Sequence, residues 1–211
     1  MIIYIDWVDL CWKSTLIRKI KDVFWWKYSN IQIFKTDPTR LPRSKDWEEV
    51  MEEKRLDIWN FYNEQLDRAI ELLEDDPNTL IILDRFFLSE IVYWKVMRWY
   101  NFLDKEWVKE LYDKVLEKIT YINDNFWWFH FIMLTDTINW IMSRFNKVWD
   151  DYLSKQEQFE QIIKEFENNM NILKDLNFKT HIINVFESNW YWWDIIENIF
   201  YQWNYQYVRE R

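Results

Sequence analysis

Short apolar runs alternate along the chain with longer segments in which apolar residues recur at the spacing of a helix. This alternation is typical of an α/β fold with a parallel sheet. The pattern predicts five strands, at residues 2–5, 31–34, 80–83, 129–134 and 180–185. It predicts helices at about residues 13–23, 48–73 (with Trp59 as a candidate break), 88–98, 104–119, 138–145, 159–173 and 194–201. Because no internal repeat or linker interrupts the pattern, we expect one domain covering residues 1–211.

Glycine is absent from the sequence, whereas tryptophan occurs 17 times. At an average usage of about 7%, a chain of this length would contain roughly 15 glycines. Several tryptophans fall where turns are expected, as at Trp25-Trp26 and at Trp190, Trp192 and Trp193. Turns favour residues that are polar or tolerate positive φ. We therefore hypothesise that most Trp letters stand for glycine, through translation with the wrong meaning for one codon. The alternative is a tryptophan-rich protein with unusual loops.

Not every tryptophan fits this hypothesis equally well. Trp107 lies within a helical pattern and is expected to be a true tryptophan, whereas Trp127 and Trp128 are ambiguous.

Charge and cysteine content narrow the classes of partner. The chain has 36 Asp and Glu against 27 Lys and Arg, a net charge of −9, which argues against a nucleic-acid polymer or an anionic membrane. Its single cysteine, Cys11, excludes an internal disulfide and fits a reducing compartment. No apolar run approaches the roughly 18 residues of a membrane span, and the N-terminus lacks the features of a signal peptide. We expect a soluble, cytoplasmic protein.

The segment after the first predicted strand is a candidate phosphate-binding loop. From Asp6 to Thr15 it reads Asp-Trp-Val-Asp-Leu-Cys-Trp-Lys-Ser-Thr. With glycine at Trp7 and Trp12 it takes the form G-x-x-x-x-G-K-S between a strand and a helix, as a P-loop requires. The alternative is an ordinary strand–turn–helix with a surface lysine. That alternative applies if Trp12 is a true tryptophan, because its indole would occupy the position of the phosphate.

In such a loop, backbone N–H groups and the helix N-terminus bind phosphate. Lys13 is expected to reach the β- and γ-phosphates of ATP, and Ser14 to bind Mg²⁺. The residues expected to bind ATP are Trp7, Val8, Asp9, Leu10, Cys11, Trp12, Lys13, Ser14 and Thr15.

This loop resembles that of thymidylate kinases, whose pattern is acidic-Gly-x-Asp-x-x-Gly-Lys-Ser/Thr-Thr, with Asp6 where the family usually has Glu. Residues 84–93 (Asp-Arg-Phe-Phe-Leu-Ser-Glu-Ile-Val-Tyr) are similar to the family's Asp-Arg-Tyr-x-x-Ser-x-x-Ala-Tyr. Residues 38–40 (Pro-Thr-Arg) resemble its Pro-x-Arg loop more weakly. The matches follow the family's order over essentially the whole chain. The resemblance implies a three-layer P-loop NTPase fold, with a five-stranded parallel sheet flanked by helices and a short lid at about residues 144–153.

The resemblance also implies a reaction, in which ATP and Mg²⁺ phosphorylate dTMP to dTDP. Asp84, at the end of a central strand, would hold Mg²⁺ together with Ser14. Arg85 and Arg40 would bind the acceptor phosphate through their guanidinium groups. Asp9 would accept a hydrogen bond from the sugar 3′-hydroxyl. The alternatives are a solvated Asp84–Arg85 ion pair and solvated loop charges at Arg40 and Asp9.

The base-reading residues leave the acceptor open. The family stacks a phenylalanine on thymine and has an arginine four residues later, whereas this chain has Phe61 followed by Gln65. A glutamine can pair with a pyrimidine edge, and deoxynucleoside kinases, which are related P-loop enzymes, read their base with one. A deoxynucleoside kinase acting on thymidine or deoxycytidine is therefore an alternative. Phe61 and Tyr62 are otherwise expected to be helix core residues.

Arg144 lies where the family has its mobile lid and could supply a positive charge to the transferring phosphoryl group. Its alternative is a helix-end cation favoured by the helix dipole. His130 and His181 fall in strands and are expected to be core histidines, which leaves no predicted zinc site. A homodimer is left open, and a non-catalytic module is expected if the tryptophans are real. The residues expected to act in catalysis are Lys13, Arg85 and Arg144.

Overall fold

The computed structural model describes residues 1–7, 13–36, 50–98, 106–126, 129–145 and 156–185. These residues form an α/β fold in which strands and helices alternate, as predicted. The strands are β1 (Ile2–Trp7), β2 (Asn30–Lys35), β3 (Thr79–Asp84), β4 (Phe129–Thr135) and β5 (Lys179–Asn184). The helices are α1 (Lys13–Phe24), α2 (Val50–Asp75), α3 (Phe87–Arg98), α4 (Glu106–Phe126), α5 (Ile138–Phe145) and α6 (Gln156–Asp175).

The five strands form one sheet in the order β2-β3-β1-β4-β5, and every neighbouring pair is parallel. In the central register, Ile5 of β1 lies opposite Asp84 of β3 on one side and Ile132 of β4 on the other. The carboxyl ends of β1 and β3 therefore meet at the same edge of the sheet. In open parallel sheets, ligands bind beyond this edge, where the strand order reverses. The predicted fold class is confirmed.

The core explains why the strands could be recognised from apolar runs. Strands β3 and β4 are buried along their whole length, since both faces of a parallel sheet are covered. On one face, Tyr4 packs edge-on against Phe131 and lies stacked near Phe87. Trp59 of α2 and Tyr112 of α4 extend this aromatic cluster. The cluster fixes α2, α3 and α4 against the strand that leads to the candidate loop.

Several boundaries differ from the prediction. The candidate break near Trp59 is wrong, because α2 continues through this residue and buries its indole completely. Helix α4 continues to Phe126, beyond the predicted end at residue 119, and Ile122 is buried in the additional turns. The helix predicted at residues 194–201 lies outside the described residues.

The described tryptophans differ in their exposure. Trp25 and Trp26, in the turn after α1, are each 69% exposed, whereas Trp59 and Trp94 are buried in helices. Trp107 lies in α4 and packs against the core. Among the described residues neither Trp25 nor Trp26 has positive φ, so their turn does not itself demand glycine. The substitution of Trp for Gly stays a hypothesis.

Within the described part of the chain, no helix is both long enough and apolar enough to cross a membrane.

Candidate functional site

Four charged residues converge at the carboxyl edge of β1 and β3. Asp6 is the penultimate residue of β1, Asp84 ends β3, Arg85 follows it, and Lys13 opens α1. The parallel pairing of β1 with β3 places these ends side by side. Asp6 and Asp84 are 2% and 8% exposed, so their charges act in a largely water-excluded setting.

Lys13 and Asp84 form an ion pair in which Lys13 Nζ donates a hydrogen bond to Asp84 Oδ1. The two side chains are only 15% and 10% exposed. The structure thus brings together the lysine predicted to contact phosphate and the carboxylate predicted to hold Mg²⁺, although 71 residues separate them in the sequence. These are the complementary charges that a magnesium-bound nucleotide requires.

The start of α1 places backbone N–H donors at the same site as this ion pair. The first N–H groups of a helix have no partner within the helix and carry partial positive charge. Helix α1 begins at Lys13, and its first turn, all of which is described, contains no acidic residue. Ser14 is exposed and Thr15 is half-buried in that turn. This helix N-terminus is chemically suited to an anion.

Arg85 has a backbone conformation that is uncommon for a residue with a side chain. Its φ is 60°, in the left-handed region, which costs on the order of 1–3 kcal/mol outside glycine. Its N–H donates to Ile5 O at 3.1 Å, and its carbonyl accepts a hydrogen bond from Thr36 Oγ1 at 3.1 Å. Strain of this kind concentrates where a side chain must be aimed for function.

Asp6 is a buried carboxylate with hydroxyl donors on both oxygens. Ser89 Oγ donates to Oδ1 at 2.6 Å, and the Tyr4 hydroxyl donates to Oδ2. Burial raises the pKa of Asp6, and the hydrogen bonds from Ser89 and Tyr4 oppose this effect, as do the charges of Arg85 and Lys13. Asp6 therefore faces both cations of the site while its own oxygens are held by β1 and α3.

Sequence reasoning gave no role to Tyr4 or Ser89. Ser89 appeared only as a letter in the resemblance, and Tyr4 as one residue of an apolar run. The available signal was the spacing of Tyr4 and Asp6, which puts both on the same face of β1.

Glu90, which follows Ser89 in α3, is a second buried carboxylate. Its Oε1 accepts a hydrogen bond from the Tyr62 hydroxyl at 3.2 Å, and its Oε2 accepts one from Trp94 Nε1 at 2.9 Å. Burial raises the pKa of Tyr62 well above its usual value, and the charge of Glu90 adds to this rise. The Tyr62 ring lies 4.6 Å from that of Phe86, next to Arg85. Tyr62 is thus a core residue, and it joins α2 to the site.

The predicted base-reading residues lie on the same helix, one turn apart. Phe61 and Gln65 of α2 are both half-buried. The Phe61 ring lies 6.0 Å from that of Tyr62, which connects it to Phe86. The rings of Tyr62 and Phe86 thus connect Phe61 to the residue next to Arg85.

Of the remaining predicted residues, two lie in described elements and the others do not. The backbone of Trp7 ends β1 opposite Leu134, and Arg144 belongs to α5. Lying outside the described residues are Val8, Asp9, Leu10, Cys11, Trp12 and Arg40.

The histidines lie in the sheet at a distance from these charges. His130 is completely buried, and its ring is stacked 5.9 Å from that of His181. Burial lowers the pKa of His130 well below its usual value and that of His181 to about 4. Within the described ranges, no group of three or more His, Cys, Asp or Glu is arranged to hold a metal ion. Mg²⁺ needs fewer protein ligands, because phosphates and water complete its shell.

The chain resembles solved structures, although no protein-family model matches it and a search of curated proteins found no match. One is the YorR protein of Bacillus subtilis in complex with phosphorylated GDP, with a TM-score of 0.54 and 20% identity. The similarity covers 94% of this chain and 95% of that one. Another is deoxyadenosine kinase from M. mycoides with the products dCMP and dCDP, with a TM-score of 0.55 and 21% identity. It covers 87% of this chain and 90% of that one.

A third similar structure is thymidylate kinase from Candida albicans, with a TM-score of 0.56 and 17% identity. The similarity covers 93% of this chain and 91% of that one. At these identities the likeness establishes the fold, because one fold hosts several reactions. This chain has the five-stranded parallel α/β fold of those kinase structures.

Proposed function

We propose that this chain is a nucleoside-monophosphate kinase that transfers the γ-phosphoryl group of ATP to dTMP, giving dTDP, when glycine occupies positions 7 and 12. The observation that carries the proposal is the Lys13–Asp84 ion pair beside Arg85 at the carboxyl edge of β1 and β3. The likeness to nucleotide and nucleoside kinases supports the same reaction class.

The proposed mechanism relies on charge neutralisation and alignment. Phosphoryl transfer spreads negative charge over the oxygens of the transferring group and needs little covalent help from the protein. Lys13 would contact the β- and γ-phosphates, and the N-terminus of α1 would bind the adjacent oxygens. Arg85 would hold the acceptor phosphate in line. Asp84 and Ser14 would hold Mg²⁺, which supplies further neutralisation of the phosphate charge.

Further predicted residues complete the proposal, and of these Asp9 and Arg40 lie outside the described part of the chain. Asp9 would bind the sugar 3′-hydroxyl, Arg40 would assist Arg85, and Arg144 would act from a lid at about residues 144–153. The loop residues from Trp7 to Trp12 would supply backbone N–H groups to ATP. We propose a single catalytic domain that acts in the cytoplasm on small nucleotides.

The hydrogen bonds of Asp6 bear on its suitability as a base for a hydroxyl acceptor. A nucleoside acceptor must lose its hydroxyl proton to a base, whereas the phosphate of dTMP needs none. The charges of Arg85 and Lys13 act on Asp6, whose pKa is raised by burial, and Ser89 and Tyr4 already donate to both of its oxygens. It is therefore suited to orient cations and poorly suited to accept a substrate proton.

A deoxynucleoside kinase is the second candidate. It is favoured by Gln65, whose amide can pair with a pyrimidine edge, and by the likeness to deoxyadenosine kinase from M. mycoides. The two candidates differ in the acceptor, since one phosphorylates dTMP and the other phosphorylates thymidine or deoxycytidine.

An acceptor panel separates the candidates. The glycine form of the chain (Trp7→Gly with Trp12→Gly) is incubated with ATP, Mg²⁺ and dTMP, dUMP, dCMP, thymidine or deoxycytidine, and products are separated by chromatography. We expect dTDP from dTMP. Phosphorylation of thymidine but not of dTMP would establish the deoxynucleoside kinase instead. A glycine form that binds no ATP at millimolar nucleotide would be a non-catalytic module.

A further inference from the structure

The left-handed conformation of Arg85 needs support from its surroundings. Among the described residues only Arg85 and Asn177 have positive φ. Asn177 follows the end of α6, where a left-handed residue is common and asparagine is well tolerated. Arg85 follows a strand and has a long side chain, so its own chemistry does not favour this conformation. Its neighbours must therefore hold it there.

Thr36 contacts both peptide groups that flank Arg85. Its backbone N–H donates to Asp84 O at 3.4 Å, which continues the pairing of β2 with β3 by one residue. Its side-chain Oγ1 donates to Arg85 O at 3.1 Å. On the other side, Arg85 N–H donates to Ile5 O at 3.1 Å. A rotation of the Arg85 backbone would have to break at least one of these bonds.

The hydroxyl of Thr36 makes the one bond in this set that ordinary strand pairing does not supply. The bonds to Asp84 O and from Arg85 N–H extend ladders that any residue at those positions could form. The bond to Arg85 O comes from a side chain, and it fixes the peptide beyond the strained residue. Thr36 is half-buried, so water competes only in part for this bond.

Resting on the proposed function, we propose that Thr36 is a positioning residue for the acceptor phosphate. Its hydroxyl holds Arg85 in the left-handed conformation, and this conformation directs the guanidinium toward the edge where Lys13 and Asp84 meet. The carboxylate of Asp6, on β1, is subject to the charge of the same guanidinium. Thr36 acts through Arg85 and needs no contact with substrate.

The test compares two substitutions of Thr36 in the glycine form. Thr36→Val keeps the shape and removes the hydroxyl, whereas Thr36→Ser keeps the hydroxyl. We expect Thr36→Val to raise KM for dTMP by about tenfold, as befits the loss of one hydrogen bond, with KM for ATP little changed. Thr36→Ser should restore a KM close to that of the parent. Thr79→Val, which removes a hydroxyl at the opposite end of β3, serves as the matched control and should leave KM for dTMP unchanged.

A second comparison asks whether Thr36 acts through Arg85. In an Arg85→Ala background, Thr36→Val should have almost no additional effect on KM for dTMP, because the group that it positions is gone. An undiminished effect in that background would overturn the proposal. An equal rise of KM for ATP and dTMP that Thr36→Ser does not rescue would also overturn it.

A crystal structure of Thr36→Val gives a readout that does not depend on activity. We expect φ of Arg85 to leave the left-handed region. A φ that stays near 60° would overturn the positioning role, even in an active enzyme. If the parent glycine form phosphorylates no nucleotide, the proposed function fails, and the φ of Arg85 still decides whether Thr36 sets its conformation.

Discussion

Removal of the Ser89 hydroxyl should destabilise the protein through the buried carboxylate of Asp6. In the native structure Ser89 Oγ donates to Asp6 Oδ1 at 2.6 Å, across 83 residues of sequence. The substitution Ser89→Ala deletes this donor and leaves only a small change in volume. Asp6 is 2% exposed, so water cannot easily replace the lost hydrogen bond.

The expected cost follows from the charge of the acceptor. A hydrogen bond to a charged group contributes about 1.5–3 kcal/mol. For a protein of this size that loss lowers Tm by roughly 3–12 °C. Ser143→Ala is a matched control, because the Ser143 hydroxyl is exposed and donates to the carbonyl of Trp140 in its own helix. Its effect should stay within about 0.5 kcal/mol.

The cost of Ser89→Ala should also depend on pH. Burial raises the pKa of Asp6 in the folded state above its usual value of 3.8. The protonated carboxyl therefore contributes to folding stability below pH 3.8, and this contribution is lost as pH rises through the folded pKa. The hydrogen bond from Ser89 limits this loss by stabilising the charged form. The difference in unfolding free energy between parent and Ser89→Ala should therefore grow with pH and level off above the folded pKa.

Urea unfolding of both proteins from about pH 4.5 to about pH 8 measures this difference. A difference below about 0.5 kcal/mol at neutral pH, equal to that of Ser143→Ala, would refute the inference that Asp6 is a buried charge held by Ser89.

Three further predictions concern the site, the histidines and the tryptophans. In the glycine form, Lys13→Ala should lower kcat by orders of magnitude and should also lower Tm, because it leaves the buried carboxylate of Asp84 without its ion-pair partner. Lys21→Ala should do neither; a coupled ADP assay and thermal unfolding check this. Burial lowers the pKa of His181 to about 4. The free energy of unfolding should therefore be retained above pH 6.5 and fall by up to about 3 kcal/mol as pH falls toward 4. Urea unfolding at about pH 7 and about pH 5 checks this. In the chain that carries tryptophan at all 17 positions, Trp59→Ala should lower the free energy of unfolding by about 3–5 kcal/mol and Trp26→Ala by less than about 0.5 kcal/mol. Thermal unfolding of both variants decides whether Trp59 is a core residue.

The fold could be predicted because its strands are buried on both faces. Residues 80–83 and 129–134 form continuous apolar runs, and β3 and β4 are buried throughout. The meeting of Lys13 and Asp84 could also be anticipated, since Asp84 ends one strand and Lys13 opens the helix that follows the neighbouring strand. The pattern of hydrophobic residues indicates which segments are buried, and it can be read from each segment without knowledge of its distant neighbours.

Contacts between distant residues could not be predicted in the same way. Nothing in the sequence near Asp6 announces that Ser89 will donate to it, and Tyr4 reads as one more apolar position. The left-handed φ of Arg85 had no local signal either, because neither glycine nor asparagine marks the position. Such features arise when strands and helices come together, and they concentrate at the sites where function tolerates strain.

Boundary errors have a physical cause as well. The candidate break at Trp59 is absent because its indole lies among the rings of Tyr62, Phe87 and Tyr112. Tertiary packing of this kind overrides the modest helix propensity of tryptophan.

The most direct test of the central claim is transfer of the γ-phosphoryl group from labelled ATP to dTMP by the glycine form. The chain with Trp7 and Trp12 and the glycine form carrying Lys13→Ala serve as controls in the same assay. We predict labelled dTDP from the glycine form and at most traces from either control. Equal labelling of dTMP by the glycine form with and without Lys13, or none by either, would contradict the account.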